Sequence, residues 1–333
     1  MLHVTVDAGT TNTRVRIWKN NQLCASSADG TGIRDAAAGG GSLRAEACIK
    51  ALLDDALGRA KAAPEEIGAI VASGMITSDL GLCPLPHLTA PVTLRQLAAG
   101  AQARLIPQIA PVPIWFIPGI KNAAGGTARA DCDAMDMMRG EEVEVFGLLR
   151  QHPISGPALI VLPGSHTKLV RLDEEQRIAG CATTMAGEVL DVLTHRTVLA
   201  HSLREGFAQQ MDDDYLLQGA DLCRRVGITR AAFAVRILDS FTNASDSQRA
   251  SFLLGAVLSA DITAIKQSTA LALVPDSTIV IAGKAALQQA LSKLIRRDPF
   301  FCGEVITVSE DPQRPLSAEG ALAVLELIPE AIL

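Results

Sequence analysis

Aromatic side chains make up only 3% of this 333-residue chain, with two Trp and one Tyr, so it offers no platform on which nucleic-acid bases could stack. Positive charge is equally scarce: 30 Lys and Arg against 36 Asp and Glu leave a net charge of −6, both signs are scattered, and no basic footprint marks a nucleic-acid partner. The seven cysteines, at 24, 48, 83, 132, 181, 223 and 302, are odd in number and include no Cys-x-x-Cys pair. That argues against a disulfide framework and fits reduced thiols in a cytoplasm. Zinc-type spacing is missing too, since no His-x-x-x-His or cysteine cluster occurs, and His195 and His201, six apart on a helical stretch, read as ordinary structure. The most apolar helical stretch, Phe252 to Ile265, contains Asp261 and is too short to cross a bilayer, so no membrane partner is expected. The start, MLHVTVDAG, has no basic region ahead of an apolar core and runs straight into a strand, so no signal peptide is expected. Two nucleotide fingerprints also fail. Gly283-Lys284-Ala285 lacks the Ser or Thr of a P-loop and has Thr278 in place of its first glycine, while Gly30-Thr31-Gly32 meets Asp35 where a dinucleotide motif needs its third glycine.

What the chain does contain is one short pattern written twice, about 155 residues apart. His3 to Ala28 reads as an apolar strand, a Gly-Thr-Thr turn, a second strand, a polar tip and a third strand; Pro157 to Thr184 repeats that order with Gly-Ser-His-Thr at the turn. With Gly9 laid on Gly164, Thr10 meets Ser165, Asn12 meets Thr167, Val15 meets Val170 and Arg16 meets Arg171. Glycine lets a ligand approach the main chain, so that consecutive N–H groups can point at one anion, and Thr10, Thr11, Ser165 and Thr167 add hydroxyl donors. Gly-Thr and Gly-Ser turns are common between strands that bind nothing, so a single turn carries little; two in matching register can clasp a polyphosphate from both sides. Asp7 ends the first strand. A carboxylate beside phosphates calls for an intervening cation, most often Mg²⁺, so the implied ligand is a magnesium nucleotide.

Asp-Ala-Gly-Thr-Thr-Asn-Thr-Arg at residues 7 to 14 resembles the first phosphate motif of the superfamily of sugar kinases, heat-shock chaperones and actin, and LPGSHTK at 162 to 168 resembles the second. More closely, PGIK at 118 to 121, MRGEE at 138 to 142, LPGSHTKLV at 162 to 170 and TTMAGE at 183 to 188, in that order, resemble the 2-dehydro-3-deoxygalactonokinases. The resemblance implies an α/β fold of two ribonuclease H-like domains, each a mixed five-stranded sheet flanked by helices, with a cleft between them. It also implies ATP as phosphate donor and a small-molecule sugar acid as acceptor.

A length of 333 residues suits two domains, each burying its own core. Pro153 and Pro157 bracket a boundary near His152 to Gly156, giving an N-terminal domain 1–153 with the first hairpin and the substrate region, and a C-terminal domain 154–333 with the second hairpin and the adenosine site. In the first, a Gly/Ala-rich loop (Ala36 to Gly41) precedes a helix that Ser42 caps and that runs to about Ala62. Ile67 to Ala72 reads as a buried strand, Met75 to Leu88 as a loop, Thr93 to Leu105 as a helix and Val112 to Ile117 as a strand. The loop Pro118 to Asp136 holds Gly125, Gly126, Asp131 and Asp133, long and polar enough to be functional, and a helix follows from about Met137 to Gln151. The second domain continues with helices at about 186 to 203, 212 to 225, 229 to 241 and 247 to 267, a strand at Thr278 to Ala282 and a last helix from Ser317 to Leu327.

Phosphoryl transfer needs, besides a phosphate clasp, a group that aligns or deprotonates the attacking hydroxyl. Glu141 follows a glycine at the start of a helix, where the macrodipole favours its ionised form, and it lies 23 residues before Gly164, a spacing that matches the acidic residue of many sugar kinases. Asp136 and Glu142 are its rivals, and a purely structural role for Glu141 and Glu142 at the helix N-terminus stands beside them. Arg139 is placed either on the substrate's carboxylate or in a salt bridge with these acids. Lys168 is placed either on a phosphate or on a solvated strand face. His166 offers its backbone N–H whatever its ring does. Arg14 is taken as a phosphate ligand because the family motif includes it, and Arg16 is expected to face the other side of the sheet. Glu188 opens the helix after the second hairpin, as a sensor of substrate or magnesium or as a plain first-turn carboxylate. Gly283, ending the strand IVIAG, stands where the superfamily lets adenosine approach the backbone. The expected reaction passes the ATP γ-phosphate to the terminal hydroxyl of a 2-keto-3-deoxy sugar acid, with 2-dehydro-3-deoxy-D-galactonate as the leading acceptor and Met75 to Leu88 as the place to look for selectivity. A kinase for another acid or amino sugar, and an acceptor-independent ATPase or phosphatase, stay open, as does a homodimer.

Overall fold

The computed structural model of the chain describes residues 1–10, 12–30, 42–123 and 129–328. Thr11, the Ala36 to Gly41 loop, Gly125, Gly126 and the side chain of Ser42 lie outside the described residues. The first repeat folds as three antiparallel strands, β1 (Leu2–Ala8), β2 (Thr13–Lys19) and β3 (Gln22–Asp29). Asn20 and Asn21, at φ 51° and 59°, form the two-residue bend between β2 and β3, a conformation asparagine tolerates better than most side chains. Helix α1 (Ser42–Ala60) leads to β4 (Ile67–Gly74), which lies parallel to β1, and a 3₁₀ turn, Met75–Thr77, follows at once. Next come β5 (Leu88–Thr89), α2 (Leu94–Ala99), β6 (Gln102–Arg104), β7 (Ile114–Phe116), β8 (Ile120–Lys121), β9 (Met137–Met138) and α3 (Glu141–Gln151).

The second repeat gives β10 (Ala158–Leu162), β11 (Thr167–Leu172) and β12 (Ile178–Thr184), again antiparallel. Helices α4 (Ala186–His195), α5 (Ala200–Leu203), α6 (Asp213–Val226), α7 (Ile228–Phe241) and α8 (Asp246–Gln267) follow. The chain closes with β13 (Thr278–Ala282), α9 (Ala285–Arg297), β14 (Val305–Val308) and α10 (Leu316–Leu325). The larger sheets run β3-β2-β1-β4-β7-β6 and β12-β11-β10-β13-β14, and a small sheet runs β5-β8-β9. In each large sheet three antiparallel strands are extended by parallel ones, so the duplication seen in the sequence is a duplication of topology.

The first sheet has six strands where five were expected. The helix expected over Thr93 to Leu105 stops at Ala99 with Gly100 as its cap, and Gln102–Arg104, all exposed, pair with β7 as a short charged edge. The single helix expected over 186 to 203 is two, because the Thr197 hydroxyl donates to the Leu193 carbonyl at 2.7 Å and accepts from the Leu199 N–H at 3.1 Å, competing with the helical ladder. Helix α3 begins at Glu141 rather than near Met137 because Gly140 has φ +114°, outside any helix, and Met137–Met138 pair with β8.

The layers alternate. One apolar cluster joins α1 to the first sheet, a second joins both sheets through α3 and α10, and a third joins the second sheet to α4 through α9. Where α10 crosses α3, a β-carbon on Gly320 would lie 1.8 Å from the Val143 carbonyl oxygen and one on Gly147 would lie 2.0 Å from that of Leu316. Only two glycines allow helices this close. The contact fixes α3, whose first turn carries Glu141, Glu142 and Glu144.

Candidate active site

The first turn is closed by the Gly9 N–H donating to the Asn12 carbonyl at 2.8 Å, which leaves Thr10 exposed at its tip. Asp7 pairs in register with Arg14 across the hairpin, and their side chains approach to 3.7 Å. Ser317, at the N-terminus of α10, donates to Asp7 Oδ2 at 3.2 Å. The second turn carries Gly164, Ser165 and His166 between β10 and β11. Its Ser165 carbonyl accepts from the Glu188 N–H at 3.0 Å, so the start of α4 is docked on it. Gly283, at φ +135°, lies against Pro163, a backbone shape that favours glycine.

At the start of α3 three carboxylates take different places. Glu142 is fully buried and folds back so that both its oxygens accept from the Gly140 N–H at 2.8 Å. Glu141 accepts from the Arg139 N–H at 3.1 Å, and Glu144, one turn on, shares its face. Arg139 donates to Thr77 Oγ1 at 2.6 Å and to the Leu85 carbonyl at 3.0 Å, with His87 Nδ1 at 3.4 Å. Among the described residues it forms no ion pair. Burial, then the Arg139 and Lys121 cations, hold the His87 imidazole below its usual range.

Two cavities meet here. The first, about 980 Å³, is bounded by Gly9, Thr10, Arg139 and the segment from Met75 to His87. The second, about 700 Å³, is bounded by Gly164, Ser165, Gly283, Lys284 and Ser317. Asp7, Arg14, Glu141, Glu144 and His166 line both, forming the wall where one opens onto the other.

The remaining expected residues are placed elsewhere. Asp136 lines neither cavity; its carboxylate accepts from the Met137 N–H at 2.6 Å and from Thr183 at 3.1 Å, which fastens β9 to β12. Glu142 lines neither, because capping Gly140 turns it inward. Thr167 is buried beneath the second turn, next to the buried carboxyl of Asp261 on α8. Lys168 borders the first cavity but spends its ammonium on the Met137 carbonyl at 2.8 Å and Thr183 Oγ1 at 2.7 Å, and it is buried rather than on a solvated face. Glu188 pairs with His166 at 3.0 Å. Arg16 does not face away from Arg14: both line the second cavity, as a two-residue spacing along one strand requires. Glu144 was legible by the same kind of rule, three residues after Glu141 on a helix. Nothing local to Ser317 signals its contact with Asp7.

Burial, then the charge of Glu141, pushes the Glu142 carboxyl up to about 8. The folded chain therefore keeps a proton that the unfolded chain releases above the ordinary value of 4.5, and stability falls as pH rises from there to about 8. Thermal midpoints of wild type should drop from about pH 5 to about pH 8, and Glu142→Gln should lessen the drop, leaving the part that Glu144 contributes over the same window. A midpoint that rises across this window would contradict the assignment, as would an unchanged slope in the variant.

A family model described as 2-keto-3-deoxy-galactonokinase matches residues 7–300. The chain belongs to the 2-keto-3-deoxy-galactonokinase family. Among curated members, it is 30% identical over 204 residues to a protein of Rhizobium meliloti designated a probable 2-dehydro-3-deoxygalactonokinase, covering 61% of this chain and 59% of that one. It is 27% identical over 207 residues to the 2-dehydro-3-deoxygalactonokinase of Escherichia coli, covering 62% of this chain and 64% of that one. The matches thus span about three fifths of these relatives' lengths. A crystal structure of a candidate 2-dehydro-3-deoxygalactonokinase from Sinorhizobium meliloti superposes with TM-score 0.74 at 22% identity, covering 99% of both chains. Component A of the (R)-2-hydroxyglutaryl-CoA dehydratase of Acidaminococcus fermentans superposes at 0.52 with 16% identity over the whole of both chains. These likenesses show a common mixed α/β fold. Within the family match lie both turns, the start of α3 and the strand ending at Gly283. No helix among the described residues is long and apolar enough to cross a membrane.

Proposed function

We propose that the chain is a cytoplasmic ATP-dependent kinase of two ribonuclease H-like domains, 1–153 and 154–333, that phosphorylates the terminal hydroxyl of a 2-keto-3-deoxy sugar acid. The leading acceptor is 2-dehydro-3-deoxy-D-galactonate, giving its 6-phosphate. The observation that carries this reading is the wall shared by the two cavities: among the described residues, a donor held in one and an acceptor in the other meet at Asp7, Arg14, Glu141, Glu144 and His166. The second cavity takes the nucleotide, with Gly283 against the adenosine and Gly164, Ser165 and His166 on the phosphates. Gly9, Thr10, Thr11, Asn12 and Arg14 supply the opposite jaw. In the first cavity Arg139, a half-buried cation lacking an ion-pair partner among the described residues, anchors the acceptor's carboxylate. Glu141 aligns the hydroxyl at the other end and takes its proton.

The residues at the wall fit Mg²⁺. Asp7 and Glu144 line the same wall, and burial, then the charge of Asp7, pushes the Glu144 carboxyl up to about 8. Mg²⁺ commonly takes one or two carboxylates along with substrate phosphates, so Asp7, with Glu144 beside it, is the pair that would hold it. When bound, it supplies charge neutralisation for the phosphates.

A coupled ADP-release assay across acid sugars, amino sugars and neutral sugars tests the reading. ADP release stimulated by a 2-keto-3-deoxy acid is the expected result, and Arg139→Gln should raise KM for that acid about 10- to 100-fold with less effect on kcat. Hydrolysis that ignores every acceptor would instead mark an ATPase or phosphatase.

A further inference from the structure

We infer that Arg16 is a second phosphate ligand, placed on the same wall as Arg14 but confined to the nucleotide side, where it grips the phosphates that stay on the nucleotide after transfer; this rests on the kinase reading above. Arg16 sits in the middle of β2, in register with Thr5 and Ser26 on the flanking strands. Two residues on, Trp18 is locked by its indole N–H donating to Thr5 Oγ1 at 3.0 Å and by packing against Ala318 and Leu322 of α10. The arm therefore grows from a rigid base.

Only 8% of Arg16 is exposed, yet its Nη1 has no hydrogen-bond partner among the described residues. No carboxylate comes within ion-pair distance of it there. Burial works against its charge; Asp7 and Glu144 support that charge from further off, and Arg14 opposes it. A buried guanidinium N–H left unpaired is costly, and native proteins rarely keep one without a use. Arg16 borders the second cavity alone, whereas Arg14 borders both. The cavity that receives it also presents the Gly164 and Ser165 turn and Lys284, a set of donors suited to phosphate oxygens, and the guanidinium fork matches them. The division of labour follows from position: Arg14 stands at the wall where the phosphoryl group passes, Arg16 behind it.

Calorimetry of the full chain with Mg·ATP and Mg·ADP, joined to thermal melts without ligand, tests this. Arg16→Met should raise Kd for both nucleotides alike, about 10- to 100-fold, and leave KM for the acid within about twofold. Its ligand-free Tm should hold or rise, because a desolvated charge has been removed; a structural arginine would show the reverse. Arg16→Lys, which keeps the charge and loses the fork, should fall between, and it serves as the readout if the methionine variant does not fold. Wild-type nucleotide affinity in either folded variant would overturn the inference while leaving the kinase reading intact. Wild-type chain that takes up neither nucleotide would overturn both.

Discussion

Glu141→Gln should lower kcat by about 10²- to 10⁴-fold, the range that a positioned general base contributes. The carboxylate lies on the wall common to both cavities, and its link to the Arg139 N–H at 3.1 Å holds it in place. Glutamine keeps the shape and can still accept that N–H, but it cannot take a proton from the acceptor hydroxyl. Nucleotide affinity should survive, since the phosphate turns are untouched. The signature is therefore a collapse of kcat with Kd for Mg·ATP nearly unchanged, read by single-turnover kinetics beside calorimetry. Glu142→Gln is the matched control: it lies one residue away, caps Gly140 and lines neither cavity, so its turnover should stay near wild type. Near-normal turnover in Glu141→Gln would remove it from the base role, and Glu144 would be the remaining carboxylate of α3 on that wall.

The contrast between these two glutamates marks how far the sequence could be read. Both hairpins were legible because their information is local: apolar strands and a glycine turn repeated in register, with an acid before the first turn. The strand Thr278–Ala282 was legible for the same reason, a buried run ending in glycine. Edge strand β6 was not, because three exposed residues carry no burial pattern. Neither was the choice among Asp136, Glu141 and Glu142, since it turns on the positive φ of Gly140 and on Thr183, a partner 47 residues from Asp136. Arg16 is a different case. The two-residue period of a strand already places it beside Arg14, so the expectation that they diverge failed on geometry that the sequence contained.

The least legible part of the site is the contact that aims α3, and it yields the largest effect expected on stability. Gly320→Val should cost on the order of 4 kcal/mol, in the tail of single-substitution effects, because its first side-chain carbon alone would stand 1.8 Å from the Val143 carbonyl oxygen. No flexible side chain can yield there; backbone faces backbone, so the helices must separate. Separation acts on the cleft from two sides. Helix α3 carries Glu141 and Glu144, while α10 carries Ser317, whose hydroxyl holds Asp7 across 310 residues of chain. Moving one helix against the other therefore shifts Glu141 relative to Asp7, and a displacement near 1 Å at reacting groups can cost about 100-fold in rate. Urea unfolding should show a lower midpoint, and the fraction that remains folded should turn over slowly. An unchanged midpoint would mean that α10 can slide without cost, and the account of how this fold positions Glu141 would then have to be abandoned.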